Sequence, residues 1–130
     1  MFGDVLIAGR YNVSVDQKHR IIIPAQTKRE PGETIYVVYE ESLDRYILYS
    51  QKTMKELFDK IDDLILNAKS KDEVLDYKIK LLELANSVVH TTTVDKQGRI
   101  QLRDCIGDDK KASLIGGGNH LIITNKPRSK

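Results

Sequence analysis

Asn12-Val-Ser-Val-Asp-Gln-Lys-His-Arg-Ile-Ile-Ile-Pro24 and Thr91-Thr-Thr-Val-Asp-Lys-Gln-Gly-Arg-Ile-Gln-Leu-Arg103 are one pattern written twice. Val15 matches Val94, Asp16 matches Asp95, Arg20 matches Arg99 and Ile21 matches Ile100, always 79 residues apart and without a gap. Internal repeats settle architecture before any single element does. In each copy, β-branched residues stand on both sides of an Asp-x-x-x-Arg string, which predicts two strands reversing direction over a few residues. The residues after each copy are alike too. Thr34-Ile-Tyr-Val-Val-Tyr and Tyr46-Ile-Leu-Tyr49 flank the polar residues 40–45, and Ala112-Ser-Leu-Ile115 and His120-Leu-Ile-Ile123 flank the glycine-rich residues 116–119. Both read as hairpins. Each half therefore runs strand, turn, strand, connection, hairpin.

Between the halves the period changes. Thr53-Met-Lys-Glu56 has capping-box form, and Leu57, Ile61, Leu64, Ile65 and Ala68 then recur at helical spacing. Ser70-Lys-Asp-Glu73 is a second capping box, ahead of Val74, Tyr77, Leu81, Leu82, Ala85 and Val88. Two amphipathic helices are expected, over residues 53–69 and 71–88, joined by a tight turn. The fold class is mainly β with an α insert, α+β. Its organisation is a single domain: a first repeat over 1–50, a helical hairpin over 51–90, a second repeat over 91–125 and a basic tail over 126–130.

An aspartate opening a turn can accept backbone N–H groups two residues on and close the loop, so Asp16 and Asp95 read as turn formers. Gly98 supplies a position where φ can be positive at little cost. His19 holds that place in the first copy, and histidine is one of the few other residues enriched there. Arg20 and Arg99 have three options: the aspartate of their own turn, the aspartate of the other turn, or an outward position. With Lys18 and Lys96 beside them they would form a cationic ridge able to touch phosphates, and arginine can also pair bidentately with guanine.

Composition narrows the classes. In a chain of 130 residues with 40% hydrophobic and 31% charged residues, a folded core can form and disorder is not indicated. No apolar run approaches the roughly 20 residues of a membrane span. The N-terminus lacks the basic region and apolar stretch of a secretory signal. A single cysteine, Cys105, excludes an internal disulfide, so a cytoplasmic location is expected. The net charge of +2 argues only weakly for nucleic acid. Its distribution says more: Arg10, Lys18, Arg20, Lys28 and Arg29 outnumber the acids of residues 1–30, Lys126, Arg128 and Lys130 crowd the C-terminus, and residues 31–49 are acidic.

Val15-Asp-Gln-Lys-His-Arg-Ile-Ile-Ile-Pro24 and Val94-Asp-Lys-Gln-Gly-Arg-Ile100, with the opening Met1-Phe2-Gly3 and the helical insert, resemble the paired Asp-x-x-x-Arg signatures of the MraZ family, within the AbrB-like swapped-hairpin superfamily. The resemblance runs to about Asn125. It implies two swapped-hairpin halves closing into one β-barrel, and assembly into a homo-oligomer, in that family a ring. It implies transcription regulation through repeated promoter sites on double-stranded DNA, at the nucleoid. Carried over by position, Arg20 and Arg99 are the DNA-facing residues, Lys18 and Lys96 the phosphate contacts, and Arg10 joins them from the basic N-terminal segment. Two departures stand out: His19 replaces the usual glycine, and Arg103 stands where a proline would match Pro24.

Other chemistry is poorly supported. His19, His90 and His120 lack a partner four residues away or a nearby cysteine, so no metal is expected. Cys105 has no matched base, and Gly116-Gly-Gly-Asn119 is followed by a strand pattern instead of the Lys-Ser/Thr of a phosphate loop. Among Tyr36, Tyr39, Tyr46 and Tyr49, the spacing of three in each strand puts one of each pair in the core. No catalytic constellation and no cofactor are expected. The alternative to DNA binding is a protein-interaction module, an antitoxin-like partner or scaffold, for which a long exposed apolar stripe on the helices would be the sign. An enzyme would need a deep pocket holding a shifted carboxylate.

Overall fold

The computed structural model describes residues 1–106 and 110–124, so the basic tail of 126–130 lies outside the described residues. Strands β1 (Arg10–Ser14) and β2 (Arg20–Ile22) flank the first turn, and a 3₁₀ turn (Ala25–Thr27) leads to the hairpin β3 (Thr34–Glu40) and β4 (Arg45–Ser50). Helices α1 (Gln51–Leu66) and α2 (Lys71–Ser87) come next. Then β5 (Val88–Thr93), β6 (Arg99–Gln101), a 3₁₀ turn (Arg103–Cys105) and the hairpin β7 (Lys111–Gly116) and β8 (His120–Ile123) repeat the first order. The protein is mixed α+β, with antiparallel ladders and two helices.

The first helix begins earlier than the Thr53 capping box predicts. Ser50, the last residue of β4, is the N-cap: its Oγ accepts from the Thr53 N–H at 3.0 Å. Ser50 is buried, so the chain passes from strand to helix without a linker and Thr53 falls inside the first turn. Asn67 ends α1, donating its side-chain amide to the Asp63 carbonyl at 2.8 Å. The second box forms where expected. Ser70 Oγ accepts from the Glu73 N–H at 3.1 Å, and the Glu73 carboxylate reaches back to the Lys69 N–H at 3.0 Å.

The six-stranded sheet has the order β1-β7-β8-β4-β3-β5, and β2 and β6 form a separate two-stranded ribbon. The first strand of each half thus lies beside the hairpin of the other: β1 pairs with β7, and β5 with β3. The hairpins meet at β4 and β8. The large sheet stays open, its edges being β1 and β5.

One face of this sheet and the inner face of the ribbon enclose the core. Ile21 and Ile100 sit opposite each other across β2 and β6, each 1% exposed, with Ile23, Leu102, Ile35, Val37, Leu48, Leu114 and Leu121 around them. Phe2 belongs to the same cluster, and its N–H is held by the Glu33 carboxylate at 2.8 and 3.0 Å. Gly3 next to it has φ 83, and a Cβ there would stand 2.6 Å from the Asn119 carbonyl oxygen, so the Phe-Gly pair seats the N-terminus. The helices cover β3, β4 and β5 from the opposite side, where Val38, Ile47 and Met54 are buried outside the main cluster.

Two expectations about faces need correction. Leu82 and Ala85 do not join the inner side of α2: Val74, Tyr77, Leu81 and Leu84 face inward, half-buried, while Leu82 is 63% exposed and Ala85 is exposed. At 100° per residue, Leu82 lies too far round from Leu81 to share its contacts. Of the tyrosines, Tyr46 packs against the core. Neither Tyr36 nor Tyr39 does so. Tyr39 stands opposite Tyr46, their rings 5.3 Å apart, and donates its hydroxyl to Asp44 at 2.7 Å where the hairpin leaves the core.

Candidate nucleic-acid interface

The two Asp-x-x-x-Arg turns have the same geometry. In the first, Asp16 Oδ1 accepts from the N–H groups of Lys18 and Arg20, both at 2.9 Å, and Oδ2 accepts from Arg20 Nε at 2.7 Å. In the second, Asp95 Oδ1 accepts from the N–H groups of Gln97 and Arg99, both at 2.8 Å, and Oδ2 accepts from Arg99 Nε at 2.7 Å. One carboxylate oxygen closes the loop while the other holds the arginine. Of the options open to the arginines, each takes the aspartate of its own turn.

Those backbone N–H groups, Arg20 and Arg99 first, then the guanidinium groups, hold both carboxyls below the usual aspartate value. A depressed folded-state value means that the stability these groups contribute is fully present above about pH 4 and is lost as the pH falls through the folded value. NMR titration is expected to place the midpoints of Asp16 and Asp95 below 3.8, the ordinary aspartate value; midpoints at or above it would contradict the geometry.

The ribbon decides where the arginines go. Arg20 stands opposite Gln101, and Ile22 opposite Arg99. Directly opposed residues share a face, so Arg20, Ile22, Arg99 and Gln101 lie on the side away from the buried Ile21 and Ile100. The arginines are diagonal neighbours, about 7–8 Å apart by strand geometry. Each side chain remains 27% exposed despite its ion pair. Further bonds lock turn to ribbon: the Ile23 N–H donates to the Gly98 carbonyl at 2.9 Å, and the Leu102 N–H to the His19 carbonyl at 2.8 Å. Gln101 Nε2 ties in the Lys18 carbonyl at 3.0 Å, and His90 Nε2 lies 2.8 Å from the Gln101 carbonyl.

Lys18 and Lys96 are exposed beside these turns but are not equivalent to each other. Lys18 stands two residues after its aspartate and Lys96 one, with Gln97 and Gln17 in the matching places. Arg10 shares a groove with Ile22, the residue opposite Arg99 in the ribbon. It starts β1, six residues before Asp16, a run of about 20 Å in extended chain. It lines a groove with Tyr11, Val13, Ile22 and Pro24.

The structure adds a cation that lies outside both motifs. Arg29 Nε donates to the Ile23 carbonyl at 2.7 Å, and its guanidinium lies against Gly98. No local pattern signals this contact, because Arg29 and Gly98 belong to different repeats. It also makes the turns unlike. Gly98 has φ 81, and a Cβ there would meet the Arg29 guanidinium, while His19 adopts φ 59 in the first turn. Gly98→Ala is expected to cost about 1–3 kcal/mol, through left-handed strain and displacement of Arg29, and to lower the melting temperature by roughly 3–10 °C. His19→Gly, which relieves the same backbone strain, should cost less. An unchanged melt for Gly98→Ala would overturn this account.

Among the described residues no group of three His, Cys, Asp or Glu could hold a metal ion, and Cys105 is buried. No helix is long and apolar enough to cross a membrane.

No family model matches the chain. Likeness to individual proteins is extensive. The chain is 30% identical over 129 residues to the transcriptional regulator MraZ of Mycoplasma mobile, covering 92% of this chain and 80% of that protein. It is 31% identical over 126 residues to MraZ of Caldanaerobacter subterraneus subsp. tengcongensis, covering 93% and 82%. With MraZ of Dictyoglomus turgidum the identity is 29% over 132 residues, covering 95% and 82%. Two like halves and matched Asp-x-x-x-Arg turns on one face accompany this near full-length likeness to proteins named as transcriptional regulators. The chain belongs to the MraZ family.

Proposed function

We propose that this protein binds double-stranded DNA at repeated promoter sites, as a homo-oligomer at the nucleoid, with the outward face of the β2 and β6 ribbon as its contact surface. The two halves are then the swapped-hairpin halves of an AbrB-like barrel, with the ribbon spanning the open side of the sheet. One observation carries the reading: Arg20 and Arg99 lie on the same outward face of a two-stranded antiparallel ribbon. A major groove is wide enough to admit such a ribbon.

Asp16 and Asp95 serve as buttresses. By holding Nε they fix each guanidinium in place, so less side-chain freedom is lost when its outer edge meets a phosphate or guanine. Lys18 and Lys96 supply phosphate contacts, and Arg29 adds positive charge behind the second turn. Arg10, in the groove beside Ile22, extends this face toward β1. A handful of cations gives weak binding from one copy, and several copies on repeated sites raise it through effective concentration.

A second reading, an interaction module that docks another protein, draws support from the exposed Leu75, Ile79 and Leu82 on α2. The test is salt-dependent binding to the DNA upstream of the protein's own gene, with the mass in solution measured alongside. Log affinity should fall linearly with log salt. No binding to any promoter fragment, with a fixed protein partner co-purifying, would decide for the second reading.

A further inference from the structure

The outward face of the ribbon is not wholly cationic. Ile22 stands on it directly opposite Arg99, two residues along β2 from Arg20, and is 51% exposed. A single exposed aliphatic side chain is ordinary on a protein surface. This one is set among the groups that meet DNA in the function proposed above, between two arginines each held by the aspartate of its own turn. Val13 and Pro24 line the same groove as Ile22. A β-branched side chain has few rotamers to lose, so Ile22 meets a ligand already ordered.

The Ile22 side chain neither donates nor accepts a hydrogen bond. Against a phosphate, or against the polar edge of a base, it would only strip water from that group. One apolar group projects into the major groove, the 5-methyl of thymine. Directly opposed residues have Cβ atoms about 4.5–5.5 Å apart, and successive base pairs are about 3.4 Å apart. A ribbon that brings Arg99 to one base therefore brings Ile22 to a base pair one or two steps away.

The second repeat supplies no equal of Ile22. The position 79 residues later is Gln101, opposite Arg20. Gln101 is half-buried, and its Nε2 donates to the Lys18 carbonyl at 3.0 Å. The ribbon thus repeats in its backbone but is one-sided in its chemistry. Arginine faces isoleucine at one end and a tied-down glutamine at the other.

We infer that Ile22 recognises the 5-methyl group of a thymine one or two base pairs from the base that Arg99 faces, and that this contact gives the ribbon a direction on the duplex. The inference rests on the DNA-binding reading above and deepens it, naming a specificity residue and the chemical group it reads.

The test uses DNA from upstream of the protein's own gene, with thymines replaced one at a time by deoxyuridine, which lacks only the methyl. Affinity is followed by fluorescence anisotropy. In each bound repeat, one replacement should weaken wild-type binding about fourfold, as expected for one buried methyl contact. Ile22→Ala should lose about the same factor per repeat on thymine DNA, show no response to the replacement, and keep the wild-type salt slope because no phosphate contact is removed. Ile22→Val, which keeps a branched apolar surface, should retain the response. Salt-dependent binding with no methyl-sensitive position in the wild type overturns the inference and leaves the DNA-binding reading standing. So does an Ile22→Ala variant that remains sensitive, since the methyl would then act through the shape of the duplex. Two sensitive positions in mirror arrangement within one repeat overturn the one-sided reading. No binding to any promoter fragment overturns both this inference and the function it rests on.

Discussion

Arg20→Ala and Arg99→Ala each lower affinity for promoter DNA by about 1–3 kcal/mol, roughly five- to 150-fold. The double variant loses most specific binding and shows a salt dependence shallower by about one for each phosphate contact removed. The fold should be little disturbed. Both arginines are on the outward face of the ribbon, and the aspartates they leave behind are about one-third exposed, so no buried charge is stranded. The variants also separate reading from holding. An arginine that reads guanine relaxes base preference at one position when removed, whereas one that contacts phosphate weakens all sequences alike. Lys18→Ala and Lys96→Ala should behave in the second way. If Arg20→Ala and Arg99→Ala bind like wild type while melting normally, the ribbon is not the DNA surface.

The other large effect is on stability. Ile100→Ala removes a side chain that is 1% exposed and packed opposite Ile21 where the two halves meet. A buried Ile→Ala change costs about 2–5 kcal/mol, part of it for the cavity left behind. That is a large share of the roughly 5–15 kcal/mol that stabilises a domain. Thermal melts should fall by about 10–20 °C. Ile22→Ala supplies the contrast, since Ile22 lies on the opposite face of the same ribbon and is 51% exposed; it should cost about 0.5 kcal/mol or less. Equal losses for Ile22→Ala and Ile100→Ala would mean that the ribbon has been assigned the wrong face, and the arginine argument would fall with it.

These two experiments probe one structural fact from its two sides. A strand alternates, so burying Ile21 and Ile100 obliges Arg20, Ile22, Arg99 and Gln101 to look the other way. Burial of the pair and presentation of the arginines cannot be separated.

Reading along the chain located the turns, the strands and the helical hairpin, because each is specified within a few residues. Asp16 and Asp95 close their loops on N–H groups two and four positions on. Ser70 caps α2 through Glu73 three residues later. The start of α1 was harder to read, since Ser50 and Thr53 are both good caps and the choice fell to Ser50, which β4 carries into a buried corner.

The amino-acid sequence by itself determined that two like halves flank a helical hairpin and that each half carries an aspartate-closed turn with an arginine at its end, because these features rest on local hydrogen bonding and on periods of two and 3.6 residues. Only the tertiary structure decided that β1 lies beside β7 and β5 beside β3, that Arg20 and Arg99 share a face, that Arg29 covers Gly98, and that α2 leaves Leu75, Ile79 and Leu82 in solvent. Contacts between residues distant in the chain depend on which apolar surfaces bury each other, and no short stretch encodes that choice.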